Sequence, residues 1–355
     1  MSPSLYPCVV AEPALLSLPR YVRNRLAWAF VSFMSSLYYL LPALLFSSVV
    51  LATRGHVRSA AAIGALLAAG VLAPLQERPF ARRLCQAVYE IFAVRHNVSQ
   101  ERAAALCEAS VERGDRFILG MHPHGVVPLQ VLVWVAFADQ YLRTAKHGTI
   151  YGFGGMASVI LYLPVLRTLM GWWTGLPATY ENLKTNLTSG SGPTFTQARH
   201  PGRNLYMLPG GLAEIFTSQP GKDVVVWKPR RGLCRLALET GSRLTPMYVF
   251  GGNEFFYQSL TSDSWLARTS RACGLSLTLF WGWRWWLPFV PRAPPHGVTI
   301  AIADPLPSRR TQAANGQPTD EEIDALHAEY ERRLRAVFDE FKTAAGYPAA
   351  ELTVL

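Results

Sequence analysis

The short run His122-Pro123-His124-Gly125 concentrates more chemistry than any other stretch of the chain. Two imidazoles flank a proline that restricts the turn, and Gly125 lets backbone or substrate approach closely. An imidazole with an unperturbed pKa of about 6.5 can take a proton from an alcohol near neutral pH. The preceding residues Arg116-Phe117-Ile118-Leu119-Gly120-Met121 read as a buried strand, and the apolar stretch 126–138 can start a helix. That places both histidines at the carboxyl end of a strand, where open α/β sheets put their ligand sites. The expected chemistry is base catalysis on a hydroxyl, with His124 as base and His122 assisting.

Other chemistries fit less well. His122 and His124 could be two metal ligands, but His147, His200, His296 and His327 lack ligand-like spacing and no acid cluster lies nearby, so no metal is expected. Gly152-x-Gly154-x-x-Ala157 matches a dinucleotide fingerprint loosely, without a convincing second strand ending in an acid. No Gly-x-Ser-x-Gly elbow exists, which argues against a serine hydrolase.

The elements that must position these residues follow an alternating pattern. Further strands are expected at 204–208, 244–250 and 298–303, separated by helices that include Arg231–Thr240, ending at Gly241. The last helix is predicted from a Thr319/Glu322 capping box, followed by Ile323, Leu326, Tyr330, Leu334, Val337, Phe338 and Phe341 at helical spacing. Alternation of this kind implies an α/β fold with a mostly parallel sheet flanked by helices. The chain divides into an N-terminal membrane segment, 1–78, and a catalytic region, 79–355.

Of the 355 residues, 50% are hydrophobic and only 16% are charged, with a mean hydropathy of +0.14. Soluble domains usually carry about 25% charge, so part of the chain is expected to face lipid. The net charge of +10 suits an anionic membrane face or an anionic cofactor, and no basic block or zinc-ligand spacing supports nucleic acid. Five cysteines without close pairing argue against a disulfide framework and point to reduced thiols in the cytosol.

No charge interrupts residues 26–53, and a second uncharged stretch covers 59–76, with only Arg54-Gly55-His56-Val57-Arg58 between them. A transmembrane helix needs about 20 apolar residues, so a membrane hairpin is predicted; the first run is too long for a signal-peptide core of roughly 7–15 residues. Arg20, Arg23 and Arg25 before the hairpin, with Arg78, Arg82 and Arg83 after it, outnumber the arginines of the loop and place both flanks in the cytosol. The sequons at Asn97 and Asn186 would then never meet the glycosylation machinery. Trp281, Trp283, Trp285 and Trp286 surround Arg284; a membrane interface or an aromatic core cluster would accommodate them, and the adjacent arginine favours the interface.

Taken in order, the motifs resemble the type-2 diacylglycerol acyltransferase family, which includes monoacylglycerol acyltransferases and wax synthases. The likeness runs from His122-Pro123-His124-Gly125 through Leu163-Pro164-Val165-Leu166-Arg167, Pro209-Gly210-Gly211-Leu212-Ala213-Glu214 and Arg230-Arg231-Gly232-Leu233. It continues in Pro246-Met247-Tyr248-Val249-Phe250-Gly251 with Asn253-Glu254, and ends in the C-terminal helix. Gly252 stands where the family usually has Glu, and no Tyr-Phe-Pro element precedes His122.

The resemblance implies a glycerolipid-acyltransferase-like fold and an acyl-CoA-dependent O-acyltransferase that esterifies diacylglycerol to triacylglycerol. It implies no cofactor beyond acyl-CoA as co-substrate, and a cytosol-facing site on the endoplasmic reticulum membrane and lipid droplets. Monoacylglycerol or a fatty alcohol is the alternative acceptor, and a catalytically silent lipid-droplet scaffold is the alternative class. The His-x4-Asp of glycerophosphate acyltransferases is missing, since Val127 and Leu129 stand at that spacing. Glu214, which follows the Pro-Gly-Gly turn after the strand at 204–208, is the expected acid to orient the imidazole. Donors near the Pro209-Gly210-Gly211 turn are expected to steady an oxyanion, and Arg230 and Arg231 to meet the phosphates of coenzyme A. Pro123, Gly125, Asn253 and Glu254 complete the expected substrate-binding set. Homo-oligomer formation is left open.

Overall fold

All six residues Phe117-Ile118-Leu119-Gly120-Met121-His122 are buried, as an unbroken apolar run predicts for a strand covered on both faces. Phe117, Leu119 and Met121 enter one hydrophobic core and Ile118 the other, so the two-residue period of the strand divides the run between two layers. The structure is a computed structural model; it describes every residue except 1–2, 11–16, 74, 77, 145, 147, 151, 190–203, 308 and 314–315.

The central sheet contains β1 (Tyr6–Pro7), β2 (Arg95–His96), β3 (Phe117–His122), β4 (Gly152–Met156), β5 (Gly175–Pro177), β6 (Asn204–Met207), β7 (Arg243–Phe250) and β8 (Thr299–Ile302). Its spatial order is β1-β2-β8-β7-β3-β6-β4-β5. Five of the seven pairings are parallel; β1 with β2 and β8 with β7 are antiparallel, so the sheet is mixed. Parallel neighbours present their carboxyl ends at one edge. At that edge β3 delivers His122, β6 leads into Pro209-Gly210-Gly211, and β7 leads into Asn253-Glu254. Three motifs far apart in sequence thereby converge.

Helices cover both faces. The N-terminal apolar run forms α1 (Arg20–Thr53), which continues through Pro42, and α2 (Val57–Leu72) follows after a short turn. After the His-Pro-His-Gly turn, residues 126–129 stay outside the helix and α3 (Gln130–Tyr141) begins only after Pro128, whose ring suits the entry to a helix and not its interior. Next come α4 (Gly211–Thr217), α5 (Arg231–Thr240), α6 (Trp265–Cys273) and α7 (Asp320–Ala345). The capping box of α7 is present, with Thr319 and Glu322 each bonded to the other's backbone, and all seven of its predicted apolar positions are buried. α5 stops at Gly241 in the left-handed region (φ 68°), which a glycine adopts without steric cost.

The N-terminal segment is part of the packed structure. β1 extends the edge of the sheet, and Val31, Met34, Leu37 and Leu41 of α1 share a core with Val88, Phe92 and Phe117. Further along α1, Leu45, Phe46 and Val49 are exposed. Ser48 on α1 donates to the Ala60 carbonyl of α2 at 3.2 Å, so the two helices pack side by side. By length and composition α1 is the one helix, among the described residues, that could cross a membrane; α2 has 16 residues. Asn97 exchanges two hydrogen bonds with Ile302, and Asn186 is buried, so neither sequon offers its amide to solvent.

Candidate active site

His122 is the last residue of β3 and is completely buried. Its Nδ1 lies 3.3 Å from Glu214 Oε1, and its Nε2 lies 3.1 Å from the Tyr330 hydroxyl of α7. That hydroxyl is also 3.2 Å from the Gly120 carbonyl, and a Cβ at position 120 would lie 2.0 Å from it. Tyr330 stacks on Trp227 at 4.0 Å, and Trp227 stacks on His327 at 4.7 Å. The C-terminal helix therefore closes the back of the histidine turn. The His122–Pro123 peptide is cis.

Glu214, on the short helix α4, is 1% exposed and accepts from three directions. Besides the contact with His122, its Oε1 accepts the Val226 N–H at 2.8 Å and its Oε2 accepts the His124 N–H at 2.5 Å. Burial alone would raise the carboxyl pKa, but these donors bring it below the ordinary carboxylate value and keep it ionised. Gly210 makes room for this arrangement, because a Cβ there would meet the Glu214 carboxyl carbon at 1.9 Å.

His124 is half-buried, one residue beyond the cis proline. Its Nδ1 is 2.9 Å from the Gly125 carbonyl, which can only accept, so Nδ1 carries the proton and Nε2 keeps a lone pair. No hydrogen-bond partner meets Nε2 among the described residues. Desolvation lowers the pKa of His124 below 6.5; the Gly125 contact and the Glu214 charge oppose this in part. A neutral imidazole with one open basic nitrogen results. Gly125 (φ 70°) needs a glycine here, since a Cβ would also lie 2.9 Å from the Gly252 carbonyl. Gly252, where the resemblance expects Glu, thus lies against the turn.

The remaining expected residues divide. Pro123 and Gly125 shape the turn. Arg230 donates to the Gly210 carbonyl at 2.6 Å and so braces the turn that admits Glu214. Arg231, its neighbour, points to α7 and pairs with Asp320 and Asp324 at 3.1 and 2.9 Å. Asn253 and Glu254 are buried and hold the loop after α4. Asn253 accepts from Ser218 and donates to the Lys222 carbonyl, and Glu254 accepts the Gly221 N–H. Gly211 gives its N–H to the Leu208 carbonyl at 3.2 Å. Glu214 meets the ring of His122 and only the backbone of His124, so the carbonyl of Gly125 sets the orientation of the His124 ring.

Sequence reasoning missed Gln130 and Tyr330. Gln130 opens α3 and donates through Nε2 to the carbonyls of Pro123 and His124, both at 2.7 Å. Its position six residues after His124 carries no recognisable motif. In the sequence Tyr330 reads only as part of the apolar face of its helix. Among the described residues, no group of three or more His, Cys, Asp or Glu side chains is arranged to share a metal ion.

The carboxyl edge of the α/β sheet thus sets a half-buried histidine beside a buried carboxylate. Comparison with known proteins gives the class: the diacylglycerol acyltransferase family model matches residues 88–355. The chain belongs to that family and is an acyltransferase. It is 29% identical to human diacylglycerol O-acyltransferase 2-like protein 6, over 67% of this chain and 70% of that protein. It is equally identical to human 2-acylglycerol O-acyltransferase 3, over 66% and 67%. Zebrafish (Danio rerio) diacylglycerol O-acyltransferase 2 shares 29%, over 67% of this chain and 64% of its own length. No solved structure matches the chain.

Proposed function

We propose that the chain transfers the acyl group of an acyl-CoA to the free hydroxyl of diacylglycerol, releasing triacylglycerol and coenzyme A. The observation that carries this reading is the open, unprotonated Nε2 of His124, held by the Nδ1 contact to Gly125. In the proposed reaction, Nε2 takes the hydroxyl proton as the oxygen attacks the thioester carbonyl. The tetrahedral intermediate collapses with loss of the thiolate, which recovers the proton from the imidazolium. His122, Glu214 and Gln130 position the turn, and Arg230 braces the glycines opposite. Removing one base should cost roughly 10²–10⁴-fold in rate. Acyl transfer by purified His124→Ala at matched protein concentration tests this, and near-normal turnover would refute it.

Monoacylglycerol is a second acceptor to measure, because the match to 2-acylglycerol O-acyltransferase 3 is as close as those to the diacylglycerol enzymes. A wax-type fatty alcohol completes the acceptor panel. The exposed outer part of α1, with α2 against it, supports a membrane hairpin that leaves both flanks in the cytosol. Endoplasmic reticulum and lipid droplets are the compartments proposed for it. No cofactor beyond acyl-CoA is invoked.

A further inference from the structure

Indoles are among the side chains most favoured away from water, yet Trp283, Trp285 and Trp286 are 55%, 78% and 60% exposed. They are displayed by a built loop. The Gly282 N–H donates to Pro288 O at 3.0 Å and the Trp283 N–H to Val290 O at 2.7 Å, while Arg284 and Leu287 form an antiparallel bridge. A Cβ at Gly282 would lie 2.0 Å from the Val290 carbonyl, so the tight crossing depends on that glycine. The Arg284 guanidinium sits 4.9 Å from the Trp283 ring, an apolar surface crowned by a cation.

The base of the loop is fastened to α1. The Tyr39 hydroxyl donates to the Phe280 carbonyl and accepts the Phe280 N–H, and the Tyr38 and Tyr39 rings pack on Phe280 at 5.6 and 5.0 Å. Past Tyr39, α1 exposes Leu40, Leu45, Phe46 and Val49. The tryptophans are thus anchored where α1 passes from the core to an apolar exposed surface. Residues 264–303 contain four arginines and no acidic residue, a charge suited to anionic headgroups.

We propose that the Trp281-to-Trp286 loop seats in the headgroup layer of a phospholipid membrane, as a second lipid contact beside α1 and α2. This rests on the membrane reading given above and adds a depth to it. Strand Tyr257–Gln258 pairs with Phe280–Trp281, and Gln258 donates to the carbonyl of Ile215 at 3.0 Å, next to Glu214. A loop fixed in the headgroups therefore holds the Glu214 helix one strand away from the layer that supplies a neutral lipid.

The test uses the full chain in vesicles of phosphatidylcholine with a minor fraction of phosphatidylserine. Cysteine replaces Trp285 or, separately, Phe46, with Cys273, the one exposed thiol among the five, changed to serine. Each cysteine carries an environment-sensitive fluorophore, and bromine is placed shallow or deep on the acyl chains. The probe at 285 is expected to be quenched most by shallow bromine and the probe at 46 by deep bromine. Water-like, unquenched emission at 285 overturns the proposal. If 46 is still quenched, only the loop has failed; if neither is, the membrane reading of α1 has failed with it. In a second arm, W283A/W285A/W286A should raise the apparent KM for lipid about tenfold, equivalent to about 1.4 kcal/mol, with kcat retained. The triple Phe variant should recover part of that loss, and an unchanged KM for the alanine triple would also overturn the proposal.

Discussion

Replacing Glu214 with glutamine keeps the shape of the side chain and removes its charge, and the structure sets what that costs. The carboxylate is met by three donors: the His122 ring at 3.3 Å, the Val226 N–H at 2.8 Å and the His124 N–H at 2.5 Å. An amide offers one accepting oxygen. If that oxygen takes the place of Oε1, the amide N–H2 faces the His124 N–H; if the amide is flipped, it faces two donors. At least one buried N–H is left unpaired, at about 1–3 kcal/mol, and the surviving bonds lose charge assistance worth about 1 kcal/mol. Unfolding of the purified variant in detergent should show a loss of about 2–4 kcal/mol.

The same change has a signature that loss of stability alone would not give. In the proposed mechanism His124 works deprotonated; burial lowers its pKa below 6.5, and the Glu214 charge partly restores it. Without that charge the pKa falls further, so the acid limb of the kcat/KM profile should move to lower pH. Turnover at the plateau should fall less than in His124→Ala. An acid limb that stays in place or moves up would refute the coupling between Glu214 and His124.

Three further outcomes follow from the contacts. Arg230→Ala should cost far more activity than Arg231→Ala, because Arg230 braces Gly210 while Arg231 makes exposed ion pairs worth about 0–1 kcal/mol; parallel kcat/KM measurements check this. Gly210→Ala should destabilise the protein and lower kcat, since the added methyl overlaps the Glu214 carboxylate; thermal unfolding alongside kcat would expose a tolerated substitution. His96 is buried, accepts the Val98 N–H, and has its pKa pushed by desolvation down to about 4. Because its folded pKa lies below the unfolded 6.5, its contribution is complete above pH 6.5 and is lost as pH falls toward 4, about 3 kcal/mol in all. His96→Asn should flatten unfolding free energy across that window, and an unchanged pH slope would argue against this assignment.

Local order was legible wherever neighbouring residues decide structure. The capping box and apolar spacing of the last helix depend on residues three and four apart, and they define its start and its buried face. The apolar run before His122 is enough to make a buried strand, and Gly241 is enough to end α5. The alternation of these elements gave an α/β fold with mostly parallel pairing, and the turn chemistry singled out two histidines.

Tertiary structure decided how those histidines differ. They stand two residues apart in the same turn, yet one is locked between Glu214 and Tyr330 while the other keeps an open nitrogen. Glu214 lies 92 positions from His122 and Tyr330 lies 208, so no local pattern pairs them. Arg230 and Arg231 are adjacent in sequence, but Arg230 precedes α5 in a non-helical conformation and reaches the glycine turn, while Arg231 opens the helix and reaches α7. The first apolar run reads as one uniform lipid-facing segment, whereas part of it is core, because Val88, Phe92 and Phe117 come to meet it. Composition and spacing determine which surfaces must leave water; which surfaces meet depends on how parallel strands bring distant turns to one edge.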